Sequence, residues 1–332
     1  MKISLASGAL ARYGALGMPL AFVALPLHVH WASVAATQWA LPLDVVGTML
    51  LAVRALDALV DPWLGRVSDR VLASQRALAV IAFAVVWVVV GFTVLFSPPP
   101  PAVLLSKSLT ILWATIALLL TYLGYSIAQI LHQSWGARWG GDAPQRARIV
   151  AWREGFALLG VVVASVLPTL LAWPVISALL LALAVVAVAA LWRVPTPETH
   201  TSGDDGVRAA SFSVVSPWRS AAFRQLISVY VLSGLAAAIP ATLVIFFIRD
   251  RLQANAWEAA FLFAYFAAAA LSLPRWTRLV SRWGLVRCWS ASMLLAILSF
   301  GGAAWLGAGD GVYFIFVCIG SGVALGAELI AP

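Results

Sequence analysis

Residues 77 to 97 read ALAVIAFAVVWVVVGFTVLFS, with no charged side chain among them. A run of roughly 20 apolar residues is what an α-helix needs to cross the hydrocarbon core of a bilayer. Within lipid each backbone N–H and C=O must find a partner in protein, and a helix satisfies them inside its own segment. The same pattern recurs along the chain. Apolar runs lie near 10–30, 42–64, 77–97, 103–132, 150–171, 174–193, 223–248, 257–274, 286–307 and 311–330, which makes ten candidate spans. Hydrophobic residues make up 63% of the chain and charged ones 10%, where a soluble domain is about a quarter charged. The expected fold class is an all-α polytopic membrane protein with the lipid bilayer as its solvent.

The formal net charge of +8 does not signal a nucleic-acid partner. The basic residues gather between apolar runs, where they set topology. One set of inter-span segments carries Arg12; Arg66, Arg70 and Arg76; Arg138, Arg146 and Arg148; Arg193, Arg208 and Arg219; and Arg275, Arg278, Arg282 and Arg287. The opposite loops are almost free of them, apart from Lys107 and the pair Arg249 and Arg251. The positive-inside rule then puts the N-terminus in the cytoplasm of a multi-pass inner (plasma) membrane protein. The opening MKISLASGALARYG is interrupted by Arg12 and lacks a small-residue cleavage site, so it reads as the start of a first span.

Residues 194–222 are polar and rich in Pro, Gly and Ser. They read as a cytoplasmic linker between an N-terminal six-helix bundle, 1–193, and a C-terminal bundle of about four helices, 223–332. A short repeat supports two related halves. Pro62 is followed by Arg66 and Arg70 in PWLGRVSDR, and Pro274 by Arg278 and Arg282 in PRWTRLVSR. GRVSDR is expected to be a cytoplasmic loop. The chain stops at the edge of its tenth apolar run, so a plan of two six-helix bundles implies a C-terminally truncated chain.

The second run holds the costly residues. Arg54, Asp57 and Asp61 are spaced i, i+3, i+7, which puts them on one helical face. Each ionised side chain near the bilayer centre costs roughly 2.5–3.5 kcal/mol on insertion scales. Such residues face a bundle interior and are paired, and Arg54 is expected to pair with Asp57. Asp61 then leaves the group at a formal charge of −1, which one bound cation or proton neutralises. Pro62 has no N–H to offer the carbonyl of Ala58 four residues earlier, so that oxygen is open to a ligand. Carboxylates plus a backbone carbonyl are oxygen chemistry suited to Na⁺. The competing view is that Asp61 merely marks a solvated end of the run.

In the fourth run Tyr122, Tyr125, Gln129 and His132 or Gln133 follow 3–4 spacing and share a face. They serve either substrate lining or interhelical hydrogen bonding. Arg153 and Glu154 open the fifth run; being adjacent they are read as lying on different faces, with Arg153 either an anchor or a group reaching toward Asp57, Asp61 or an anionic substrate group. Glu328 is left open. His28 and His30 are expected at an interface. Cys288 and Cys318 form no disulfide framework or metal motif, no catalytic constellation is evident, and no cofactor is implied.

Several stretches carry a family likeness: YGALGMPLAFVALPLHVH, AVRALDALVDPWLGRVSDR, YSIAQILHQSWGARW, FALLGVVVASVLPTLL, LSGLAAAIPATLVIFFIRDRL and GSGVALGAELIAP. Together they resemble the glycoside–pentoside–hexuronide:cation symporters, the melibiose-permease-like branch of the major facilitator superfamily. The resemblance implies twelve helices in two pseudo-symmetric bundles, a central cavity, alternating access and cation-coupled uptake of a solute. It places the family's cation-binding carboxylates on Asp57 and Asp61, the preceding Arg on Arg54, an acidic residue of helix four on Gln129, and an Arg of helix five on Arg153. Gln129 is uncharged, and Met18 and Pro19 stand where the first helix of melibiose permease has an acidic sugar ligand.

The function expected is a cation-coupled (Na⁺ or H⁺) secondary symporter of a small, sugar- or glycoside-like solute, acting as a monomer and not as an enzyme. The alternatives are a lysolipid transporter of the same fold and a truncated chain that does not transport. If the Arg54–Asp57 pair forms, Arg54→Ala is expected to lower folded yield in membranes and a further Asp57→Ala to recover part of it.

Overall fold

The computed structural model describes residues 6–74, 76–195 and 219–330. Every run expected to span a membrane is helical. The first is broken in two, α1 (Ser7–Gly14) and α2 (Gly17–Val29), and a short α3 (Trp31–Gln38) follows. Then come α4 (Leu43–Ala73), α5 (Ala77–Leu95), a single turn α6 (Pro101–Leu104), α7 (Lys107–Arg138), α8 (Ala143–Leu170) and α9 (Trp173–Trp192). The remaining helices are α10 (Ala221–Phe246), α11 (Glu258–Trp283), α12 (Leu285–Ala303) and α13 (Gly311–Glu328). Residues 196–218, most of the expected linker, lie outside the described residues.

Eight segments among the described residues are long and apolar enough to cross a membrane: Ser7–His28, α5, α7, Ala143–Pro168, α9, Asn255–Trp283, α12 and α13. At 31 residues α4 has the length, but its charges set it apart from this group. α10 is 26 residues long, and its stretch Phe223–Ala236 is apolar.

Several helices outrun the apolar runs that identified them. α4 continues through Pro62 to Ala73, α11 through Pro274 to Trp283, and α7 reaches Arg138. Both members of the PWLGRVSDR and PRWTRLVSR repeat are therefore helical, and GRVSDR is not a loop. Hydropathy ends where lipid ends, whereas the backbone hydrogen-bond ladder continues until something stops it. After α11 the stop is Gly284, at φ +82°, a left-handed conformation that glycine adopts without penalty. α8 starts at Ala143, about two turns ahead of its apolar run, because Asp142 caps it, accepting from the Gln145 backbone N–H at 3.1 Å.

Lipid gives little hydrophobic drive for helix association, so close packing and hydrogen bonds must supply it. Glycines provide the approach. A Cβ on Gly14 would sit 2.6 Å from the Trp152 carbonyl oxygen, and one on Gly17 would sit 2.6 Å from that of Arg153. From the other side Gly160 of α8 lies against the Met18 backbone. α5 and α7 meet likewise, with Gly124 against Ala84 and Gly91 against Thr121. α13 lies on α11 through Gly322 and Gly326, and the Trp276 indole donates to the Val323 carbonyl at 2.8 Å.

The largest buried cluster draws on residues 10–194 alone. A second joins Ala147 and Leu158 of α8 to Leu273, Trp276 and Val280 of α11, so these two helices are the seam between the earlier and later parts of the chain. Outward faces carry exposed Leu51, Leu59, Val86, Val90, Val185 and Val186, as expected of surfaces that meet lipid tails. Gly17→Val is expected to cost roughly 1–3 kcal/mol through overpacking. The check is a lowered melting temperature of the purified chain in detergent, with Gly47→Val, at a position with open space around it, as the neutral control.

Candidate functional site

Three helices present one face each to a cavity of about 210 Å³. α2 contributes Ala24, Leu27 and His28; α4 contributes Arg54, Asp57, Ala58 and Asp61; α7 contributes Tyr122 and Tyr125. The spacings are i, i+3, i+4 and i+7, so each set is a single helical stripe. Proline at position 62 does not break α4, but it removes the N–H that would otherwise bond Ala58 O, and Ala58 lines the cavity.

α4 and α7 run parallel in a fixed register. The Ser126 hydroxyl donates to Asp57 Oδ1 at 2.5 Å. Farther along, Ser68 and Ser134 hydroxyls lie 3.3 Å apart. The Arg138 guanidinium donates to the Asp69 carbonyl at 2.9 Å and reaches its carboxylate at 3.5 Å. The first and last contacts share one sequence offset of 69 residues, the signature of two helices side by side without slippage. Asp57 thus has a donor from the neighbouring helix. Asp61 shares the same wall, and its Oδ1 is buried and unpartnered among the described residues.

The expected Arg54–Asp57 ion pair does not form. The described residues hold three ion pairs, Arg138–Asp69, Arg153–Glu154 and Arg249–Glu258. Arg54 and Asp57 face the same cavity, but Ser126 meets the carboxylate while the guanidinium stays in the open cavity wall. With both carboxylates ionised, Arg54, Asp57 and Asp61 sum to +1 − 1 − 1, or −1.

Four residues expected at the site lie elsewhere. His132 is fully buried in a reciprocal brace: its Nε2 donates to the Tyr13 carbonyl at 2.9 Å, and the Tyr13 hydroxyl donates to the His132 carbonyl at 2.8 Å. The two rings pack with centroids 4.4 Å apart. This brace joins α1 to α7 and explains His132 as architecture. Gln133 is exposed, Gln129 is half-buried, and neither lines the cavity. Arg153 turns to its own neighbour, donating through Nε and Nη2 to Glu154 Oε1 at 2.9 and 2.6 Å. Adjacent residues leave a helix in different directions, but the long Arg side chain folds back across that angle. Both members are only 19% exposed, which commits Arg153 to a near-buried pair instead of the cavity.

Two contributors were not expected at the site. Ser126 sits one turn beyond Tyr122, but a serine in a helix commonly bonds back to its own backbone, as Thr121 does to Ala117 O. His28 was read as interfacial. Its Nδ1 lies 2.5 Å from the Ala24 carbonyl, and a carbonyl can only accept, so Nδ1 carries the proton. In the neutral ring Nε2, on the far side from the α2 backbone, is then an acceptor. The His28 and Tyr122 rings meet edge to face at 6.2 Å. Glu328 of α13 accepts from the Ser233 hydroxyl of α10 at 3.1 Å, outside the cavity.

With no direct pair between them, Arg54→Ala and Asp57→Ala are expected to change stability independently. A double-mutant cycle on the purified chain should return a coupling below about 0.5 kcal/mol; a coupling of roughly 1.5 kcal/mol or more would reinstate the pair.

The arrangement is polar chemistry lined by α2, α4 and α7. Comparison with known proteins adds one result. The chain matches a family described as MFS/sugar transport protein over residues 6–332. No match was found among curated proteins. A match over that length, on a multi-pass all-helical membrane protein, carries the assignment: the chain belongs to the MFS/sugar transport protein family of the major facilitator superfamily, a family of membrane transporters.

Proposed function

We propose that this transporter is a cation-coupled symporter of a small hydroxylated solute, of the melibiose-permease-like branch, working by alternating access. The observation that carries the proposal is the pairing of Asp57 and Asp61 in one cavity with a net charge of −1. Placing charge at membrane depth is costly, and the cost is accepted at ion or substrate pathways. A monovalent cation restores neutrality. The oxygens available to it are hard ligands: the carboxylates of Asp57 and Asp61, the Ala58 carbonyl that Pro62 cannot bond, and the Ser126 hydroxyl. Na⁺ suits that set, and a proton shared by the carboxylates fulfils the same charge balance. Gln129 is left out, since it neither lines the cavity nor, unlike Ser126, bonds a carboxylate that does.

The two bundles are taken as 1–193 and 223–332, joined by a linker at 194–222, with the seam between α8 and α11 as the surface that rearranges. The N-terminus is taken as cytoplasmic and the membrane as the cell's inner membrane, on the distribution of Arg. The working unit is taken as a monomer.

The test is ligand-linked stability of the whole chain in detergent. A cation present at about 100 times its Kd stabilises the folded form by about 2.7 kcal/mol. Na⁺ is expected to raise the melting temperature relative to choline, and Asp57→Asn or Asp61→Asn to abolish that rise while leaving membrane expression intact. A proton-coupled site instead shows no Na⁺ response and a pH dependence that both substitutions remove. An undiminished Na⁺ or pH response in both variants rules out the carboxylate pair.

A further inference from the structure

α11 has two faces with different surroundings. Leu273 and Val280 are buried in the seam with α8. Leu271, two residues from Leu273, leaves the helix about 200° away from it. It belongs to the row Phe263, Ala267, Leu271 and Arg275, which with Ile319 and Val323 of α13 lines a groove of about 650 Å³. Phe263, Leu271 and Ile319 are exposed, so the groove lies on the outer side of the helix pair, where the solvent is lipid. The polar groups in its floor are taken up within the protein. The Ser272 hydroxyl donates to Ala269 O at 2.8 Å, and the Trp276 indole donates to Val323 O at 2.8 Å. Arg275 is different. Its Nη1 donates to the Leu271 carbonyl of its own helix at 3.1 Å, and it enters none of the ion pairs found among the described residues. It stands where the apolar run 257–274 ends, at the edge of the hydrocarbon. Arg278, Arg282 and Arg287 follow it, and the sequence holds no acidic residue between Glu258 and Asp310. Arg282, seven residues on, shares the face of Arg275.

We infer that the groove between α11 and α13 seats one anionic phospholipid, its phosphate on Arg275 and an acyl chain along Leu271, Ala267 and Phe263. The chemistry matches, because a guanidinium meets a phosphate through paired N–H donors. The length matches as well. Phe263 lies twelve residues before Arg275, about 18 Å at 1.5 Å per residue, against about 15 Å for one leaflet of the hydrocarbon core. The charge selects the headgroup. Four arginines without an acidic neighbour in sequence attract a net negative lipid more than a zwitterionic one.

The outward face of α5 shows the contrast. Phe83, Val86 and Val90 are exposed there, and α5 carries no charged residue. Lipid slides over such a face, whereas a groove with a cation at the hydrocarbon edge fixes a lipid molecule at both ends. The lipid is a resident of the outer wall and not a cargo. None of the groove residues lines the cavity between α2, α4 and α7, so this inference stands or falls apart from the cation site.

The experiment titrates the full chain in detergent with dioleoylphosphatidylglycerol, and with dioleoylphosphatidylcholine as the zwitterionic control. The melting temperature is followed, and mass spectrometry of the intact complex counts the lipid retained. Phosphatidylglycerol is expected to raise the melting temperature saturably with one molecule retained, and phosphatidylcholine to need a roughly tenfold higher concentration. Arg275→Gln is expected to weaken the phosphatidylglycerol response roughly tenfold. Ala267→Phe, which fills the groove and keeps every charge, is expected to abolish retention of either lipid. Arg287→Gln removes the same charge from α12, outside the groove lining, and is expected to change the response less than about twofold. An equal response to the two lipids overturns the site, as does an equal loss in Arg275→Gln and Arg287→Gln, which marks a general attraction to a basic face. A response that survives Ala267→Phe also overturns it. So does a concentration-dependent dimer that retains no lipid and that Ala267→Phe dissociates, which gives the groove to a second copy of the chain. Should Arg275→Gln not fold, Ala267→Phe and the comparison of the two lipids decide the matter.

Discussion

The site depends on one hydrogen bond across a helix pair, from the Ser126 hydroxyl to the Asp57 carboxylate. A carboxylate at membrane depth needs a donor, and drawing that donor from the neighbouring helix sets the rotation of both. Ser68 with Ser134 and Asp69 with Arg138 extend the same register toward the far end. Because the contacts share nearly the same offset, a slip of even one residue would break all of them and turn Asp57 away from α7. The stripe on α4 is therefore held against Tyr122 and Tyr125 by contacts that cost no separate ordering, since both backbones are already helical.

Around that pair the packing relies on absence of side chain. Gly14, Gly17 and Gly160 bring the first span and α8 to backbone contact, and Gly124 and Gly91 do the same for α5 and α7. In a solvent as apolar as the helices themselves, van der Waals contact at short range is the main source of attraction. Large side chains lie on both sides of the packing: Trp31, Trp39, Trp135 and Phe92 are buried, while Leu51, Val90 and Val186 are turned outward.

The helices and the cavity-facing stripe of α4 could be read directly from the sequence, because they follow from period and hydropathy. Arg54, Asp57, Ala58 and Asp61 fall where helical spacing put them, and Tyr122 and Tyr125 face them as expected. What could not be read were choices among partners. Asp57 had two candidate donors within reach, Arg54 on its own helix and Ser126 on another, and only tertiary placement decides between them. His132 matches the 3–4 spacing of the tyrosine stripe, yet over the ten residues from Tyr122 the helix falls about 80° short of three full turns, which carries His132 into the brace with Tyr13. Arg153 has a side chain long enough to choose its direction, and spacing constrains Cβ, not the guanidinium. The polar extensions of α4, α7 and α11 were missed for another reason: hydropathy measures lipid, and these turns lie outside it.

The brace between Tyr13 and His132 also bears on mechanics. It fastens α1 to α7 by two buried hydrogen bonds and a ring contact. The first span is interrupted just afterwards, between Gly14 and Gly17. The two intervening residues, Ala15 and Leu16, keep right-handed helical dihedrals, and Gly14, Gly17 and Gly160 seat both segments against α8. The wall that α2 gives the cavity, with Ala24, Leu27 and His28, is therefore positioned from its opposite end, by the brace to α7 and the glycine contacts to α8 acting together.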